Sequence, residues 1–260
     1  MSTRSFRNCS LATLSFILIS AMSWAQDQGR EFHWKGKLAP ENVVEIKNVN
    51  GHIEADLAAG DEVEVTAEKS GSHADEVKIE VAQHADGITI CAVYPGWFSS
   101  GCDSNRSFHS HNDNTKVRFT VRVPENVRFY AENVNGSVTA ENMGRFVKAS
   151  SVNGSVHVST KSWAEISSVN GSLEARMGRS DWTGTLKAES VNGSITLELP
   201  SDTNADVNFK SVNGRLESDF PLTVQGSLGG HIVRGQIGNG GRELKVETVN
   251  GNVELRRHGM

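Results

Sequence analysis

His109, His111 and Asp113 form a His-x-His-x-Asp run, with Cys102 and Asp103 a few residues before it. Imidazole, thiolate and carboxylate at this spacing can ligate zinc or copper, which makes His109, His111 and Asp113 weak metal candidates. The plainer reading is a polar loop, because Ser, Asn and Gly dominate residues 95–115 and such tracts are usually compositional. Cys91 and Cys102 have another use: with ten residues between them, they can close a disulfide across this loop. Closing so short a loop constrains the unfolded chain by less than the ~3 kcal/mol expected for 15 residues. Trp97 and Phe98, beside Pro95-Gly96, and Trp163 and Trp182 further on, are either platforms for a sugar ring or partner, or packing groups.

The elements that must position these groups are set by a repeat. Val-Asn-Gly occurs seven times, placing Asn50 and Gly51, Asn135 and Gly136, Asn153 and Gly154, Asn170 and Gly171, Asn192 and Gly193, Asn213 and Gly214, and Asn250 and Gly251 at equivalent positions. From Asn135 the steps are 18, 17, 22 and 21 residues, and the last is 37. Splitting that 37 at Val233-Arg234-Gly235 gives an eighth, degenerate turn at Gly235. Apolar residues alternate on both sides of each turn, as in Ala164 and Ile166 before Asn170 and Leu173, Ala175 and Met177 after it. Each repeat therefore reads as strand, turn, strand, with one buried face and no helical period. Gly is expected at the turn because the chain there takes positive φ.

Two geometries fit: a hairpin with a two-residue Asn-Gly loop, or a parallel β-solenoid in which Asn-Gly is a corner and like stacks on like. The near-identity of the corners favours the solenoid, with an array of hairpins or a sandwich as the alternative. A small polar residue precedes every Val-Asn-Gly: Asn48, Asn133, Ser151, Ser168, Ser190, Ser211 and Thr248. Either these form a hydrogen-bonded ladder inside the coil, or the strand has already turned outward and they are wet. The first two corners stand 85 residues apart. Residues 58–126 are accordingly expected to be an inserted antiparallel β segment that caps the array and carries the loop 95–115; Asp86-Gly87 marks a hairpin within it.

Catalysis would need carboxylates or bases converging on a groove. The outward position after each turn runs Glu54, Thr139, His157, Glu174, Thr196, Glu217 and Glu254, which in chain order leaves Thr196 between Glu174 and Glu217. No acid–base pair can be named, so the reading is non-enzymatic and without cofactor.

Arg4 and Arg7, an apolar run from Leu11 to Met22, and Ser23-Trp24-Ala25 read as a signal peptide over 1–25. The run is about 12 residues where a spanning helix needs about 20, so no transmembrane segment is expected after cleavage. The domain would then be 26–260, with 24 basic against 31 acidic residues once Arg4 and Arg7 are removed. That balance argues against a nucleic-acid partner.

The Ser-Val-Asn-Gly-Ser-Val unit at 151–156 and its variants, with the run from Val233 to Gly241 leading to Val249-Asn250-Gly251, resemble the bacterial adhesin-like family of β-strand-repeat envelope proteins, a domain of unknown function. The resemblance covers about 40–258. It implies a right-handed, β-helix-like array, export, and an adhesin or envelope role, but no assigned active site. The expected function is thus an exported, adhesin-like structural or binding protein of the periplasm or cell surface, whose partner is an envelope polymer, a glycan or a protein. An envelope-stress or regulatory partner protein and a polysaccharide-active β-helix enzyme are the alternatives.

Overall fold

The computed structural model describes residues 24–95, 102, 114–225 and 232–259. Alternating burial produces strands nearly everywhere. Ala164–Asn170 and Leu173–Met177 bury every second side chain, and between them lies only the corner. The strands leading into corners and the strands trailing out of them do not pair with each other. Among the described residues they build two separate sheets of eleven strands each, packed face to face. The array is a flattened β-solenoid of two strands per coil, and the hairpin alternative falls.

In the middle of the leading sheet, Val43–Asn50, Arg128–Asn135, Val147–Asn153, Ala164–Asn170 and Thr185–Asn192 pair in parallel and in chain order. Their trailing partners Ile53–Leu57, Val138–Met143, Val156–Thr160, Leu173–Met177 and Ile195–Pro200 do the same. Inward positions mix large and small side chains along the stack, as in Ala131, Ala149, Ile166 and Ala188. Fully burying a Val, Leu or Ile contributes roughly 1.5–3 kcal/mol, and each coil brings several. Pro124, Pro200 and Pro221 stand at strand ends, where a missing donor does least harm.

The order then breaks. The last strand pair, Glu243–Asn250 and Val253–His258, inserts between Thr185–Asn192 with Ile195–Pro200 on one side and Ala205–Asn213 with Leu216–Ser218 on the other, parallel to both. The corners therefore stack as Asn50, Asn135, Asn153, Asn170, Asn192, Asn250, Asn213. Gly235 is not a corner. It lies inside the strand Ile232–Ile237, antiparallel to Ala205–Asn213 on one side and to Leu222–Gln225 on the other. The 37-residue step holds this returning strand and the inserted one, so its length measured no coil.

The segment 58–126 is not a sheet of its own. Lys116–Val123 continues the trailing sheet in parallel with Ile53–Leu57, and Gly87–Val93 continues the leading sheet in parallel with Val43–Asn50. Antiparallel strands then finish this end: Val63–Ser70, Glu31–Gly36 and Trp24–Gln28 on one sheet, and Lys78–His84 on the other. One 3₁₀ turn, Ala74–Glu76, interrupts the strands. The strand Trp24–Gln28 spans the expected cleavage point after Ala25; residues 1–23 lie outside the described residues.

Candidate binding surfaces

The corners form the first long edge. Each Asn amide donates to the side-chain oxygen of the preceding one at 2.8–2.9 Å, from Asn213 through Asn250, Asn192, Asn170, Asn153 and Asn135 to Asn50. The N–H groups of Gly51, Gly136, Gly154, Gly171, Gly193 and Gly251 each donate to an Asn carbonyl of the adjacent coil, as Gly171 does to Asn192 at 3.0 Å. The small polar residues before the corners are buried, and the ladder reading holds. Ser151 and Ser168 donate to the Gly136 and Gly154 carbonyls at 2.9 Å, Thr248 to Gly193 at 3.2 Å and Ser190 to Gly171 at 3.3 Å. Asn133 uses its amide in the same way on Gly51. Ser211, in the last coil, is buried with no hydrogen-bond partner among the described residues.

The reason for glycine differs from the expectation. Of the corner glycines, only Gly51 and Gly136 have positive φ. At Gly154, Gly171, Gly193, Gly214 and Gly251 the constraint is close approach: a Cβ would lie 1.9–2.1 Å from the carbonyl oxygen of the stacked glycine. The two corners with positive φ are also the two preceded by Asn48 and Asn133 rather than a hydroxyl.

Beside the corners, Val152, Val169, Val191, Val249 and Val212 project outward in one row, each 38–50% exposed. With Ser150, Ser167 and Glu189 they line an open groove of about 590 Å³. Lys245 bridges Glu189 at 2.7 Å and Glu247 at 3.0 Å, and these two hydrogen bonds hold its ammonium above the ordinary lysine range.

On the trailing sheet's outer face, His157 Nδ1 lies 3.3 Å from Glu174 Oε2. Because of the strand insertion, Glu254 follows Thr196, and Glu217 pairs in register with Glu254. Chain order concealed this neighbouring pair of carboxylates. Each holds its own guanidinium, Arg215 on Glu217 and Arg256 on Glu254, and the carboxylates raise both arginines further. On this face Glu174, Glu217 and Glu254 are thus each paired with a basic side chain.

Cys91 and Cys102 are disulfide-bonded, with Cα atoms 5.7 Å apart, and both are buried. The metal candidates His109, His111 and Asp113, and the aromatics Trp97 and Phe98, lie outside the described residues. Among the described residues no group of three metal-ligating side chains converges.

The second long edge carries the connectors from one coil to the next. Here the sequence does not repeat, but its chemistry does: Arg145-Phe146, Lys161-Ser162-Trp163 and Arg179 with Trp182 each bring a cation and then an aromatic. Trp182 is buried and donates from Nε1 to the Glu243 carbonyl at 3.0 Å. Trp163 is half-buried, 6.3 Å from Phe146, which meets Tyr130 edge to face at 5.8 Å. Phe146, Trp163 and Trp182, with Arg128, Arg145, Arg179 and Glu41, line a cleft of about 350 Å³. Of this set the sequence reading had singled out only the two tryptophans. The cation-then-aromatic pairing at coil spacing was the signal available.

A family model matches residues 35–256 and is described as Toastrack DUF4097. The chain belongs to this family. Among solved structures, it is similar to a candidate cell adhesion protein from Clostridium sporogenes ATCC 15579, with 12% identity, TM-score 0.49, and coverage of 87% of this chain and 99% of that one. A candidate adhesin from Bacteroides fragilis NCTC 9343 gives 12% identity, TM-score 0.36, and coverage of 89% and 98%. At these values the likeness transfers no role to the Toastrack chain described here. No curated protein matches it significantly.

Proposed function

We propose that this Toastrack protein is an exported, non-enzymatic, adhesin-like binding protein of the cell envelope, working in the periplasm or at the cell surface. One observation carries the reading: the solenoid satisfies its repeated polar groups internally at the corners, yet leaves the groove along the valine row and the cleft at the connectors open on a rigid scaffold. Open, rigid, mixed apolar and polar surfaces suit recognition of an extended partner. Export is supported by Arg4, Arg7 and the apolar run from Leu11 to Met22, and by a disulfide, which persists in oxidising compartments. The test is retention of the purified protein on isolated envelope fractions and on arrayed glycans. Specific retention on at least one is expected; none on any would overturn the proposal.

A further inference from the structure

The connector cleft has a more specific composition than a general contact surface. Its floor is fixed, since Trp182 is held by its indole hydrogen bond and Arg242 Nε donates to the Trp182 carbonyl at 3.2 Å. Along one wall the half-buried rings of Phe146 and Trp163 follow one another on successive coils. Half-buried aromatic faces on a rigid sheet suit the apolar C–H faces of sugar rings and lose little entropy on contact.

The polar groups are mixed in sign. Arg145 Nε lies 3.1 Å from Glu41 Oε1 but is buried and makes no hydrogen bond. Arg179 is paired with Asp181. Arg128 donates from Nε to the Glu41 backbone carbonyl at 2.6 Å and has no carboxylate partner among the described residues. Glu165 also lines the cleft. Three guanidiniums against three carboxylates leave no net positive field, so recognition here falls to individual contacts. Sugar hydroxyls donate to Glu41 and Glu165 and accept from the guanidiniums, and the uncompensated Arg128 fork matches one carboxylate.

We propose that this cleft binds a uronic-acid segment of an envelope or host polysaccharide, with Trp163 stacking on a sugar ring and Arg128 holding its carboxylate. The assignment rests on the reading of the chain as a binding protein, and names the ligand class of that binding.

The experiment titrates the purified full chain with trigalacturonate and, in parallel, with α-1,4-galactotriose, its neutral counterpart, following tryptophan emission and calorimetry. Trigalacturonate is expected to bind and galactotriose to bind at least about 10-fold more weakly, the difference of one charge-assisted contact. Trp163→Ala and Arg128→Gln are each expected to weaken trigalacturonate binding by about 10-fold or more while leaving the melting temperature within a few degrees. Rising salt should weaken what remains in Trp163→Ala and have little effect on Arg128→Gln. Absence of trigalacturonate binding, equal binding of the neutral sugar, or binding indifferent to both variants would overturn the assignment. Envelope retention separates the two levels: a wild-type protein retained on envelope material without binding trigalacturonate sinks the cleft alone, whereas no retention anywhere sinks the binding reading with it.

Discussion

The two long edges of the solenoid are made by the same coils and solve opposite problems. At the corner edge the chain repeats itself nearly residue for residue, and the Asn amides, glycine N–H groups and most of the hydroxyls are committed to the next coil. At the connector edge the lengths differ from coil to coil, and Arg145 Nε and the Arg128 guanidinium are left incompletely used. Identity is needed where like stacks on like; variety is tolerated where the chain only has to cross. In this molecule the conserved-looking feature is the scaffold, and the irregular edge holds the groups with bonding capacity to spare.

That contrast can be broken most directly with glycine. Gly171→Val places side-chain atoms where a Cβ alone would stand 2.1 Å from the Gly154 carbonyl oxygen. It should cost about 3 kcal/mol or more by urea denaturation, at or above the upper end of what overfilling a core usually costs, because coils are forced apart. Gly184→Ala, at the connector edge, meets nothing within 4 Å, though its φ is +74°. It should cost only about 1–2 kcal/mol, from left-handed strain alone. Equal costs would mean that the corner is not distinguished by close approach.

The buried hydroxyls come next. Ser168→Ala removes the donor to Gly154 and should destabilise by about 1–3 kcal/mol, since it strips a partner from a part-buried carbonyl. Asn170→Ala breaks the exposed amide ladder on both sides, and its cost should be nearer 1 kcal/mol. A larger loss for Asn170→Ala than for Ser168→Ala would place the main hold of the corner outside rather than inside.

The smallest effect lies at the connector edge, where Lys161 Nζ contacts Glu125 Oε1 at 2.7 Å and holds that carboxyl below its ordinary value. A depressed folded value means stability that is present above the unfolded carboxyl pKa and is lost as pH falls through the folded one. Glu125→Gln should therefore lower the melting temperature slightly at neutral pH, and the difference from wild type should vanish in acid. A difference that persists in acid would assign the loss to something other than the ion pair. Both groups are exposed, so the shift should also shrink with salt.

The repeat was legible because Asn153, Asn170 and Asn192 stand on one another, and stacking imposes identity on the sequence itself. The two-strand coil and its inward residues followed from alternation. What spacing could not convey was the place of a strand that arrives out of turn. The step from Asn213 to Asn250 counts residues along the chain, while Glu243–Asn250 takes its position by pairing with Thr185–Asn192 and Ala205–Asn213 at once. The Val233-Arg234-Gly235 frame misled for the same reason: Gly at mid-strand between two neighbours looks, in sequence, like Gly at a corner. Positive φ was the natural guess for Asn-Gly, but the contact that demands Gly171 comes from a different coil. The connector cleft was illegible because Glu41, Arg128 and Arg179, far apart in sequence, meet only after stacking.

The out-of-turn pair Glu243–Asn250 and Val253–His258 has a consequence for assembly. A ribosome or export channel releases the chain from its first residue to its last, so the coils up to Pro200 can zip together as they emerge. Residues 205–218 cannot join that stack on arrival, because the slot beside Ile195–Pro200 belongs to residues not yet delivered. The final segment acts as a keystone. A chain cut short near residue 242 would lose the middle of the stack, exposing two unpaired strand edges in each sheet; with residues 243–258 present, the two flanking coils are joined through them.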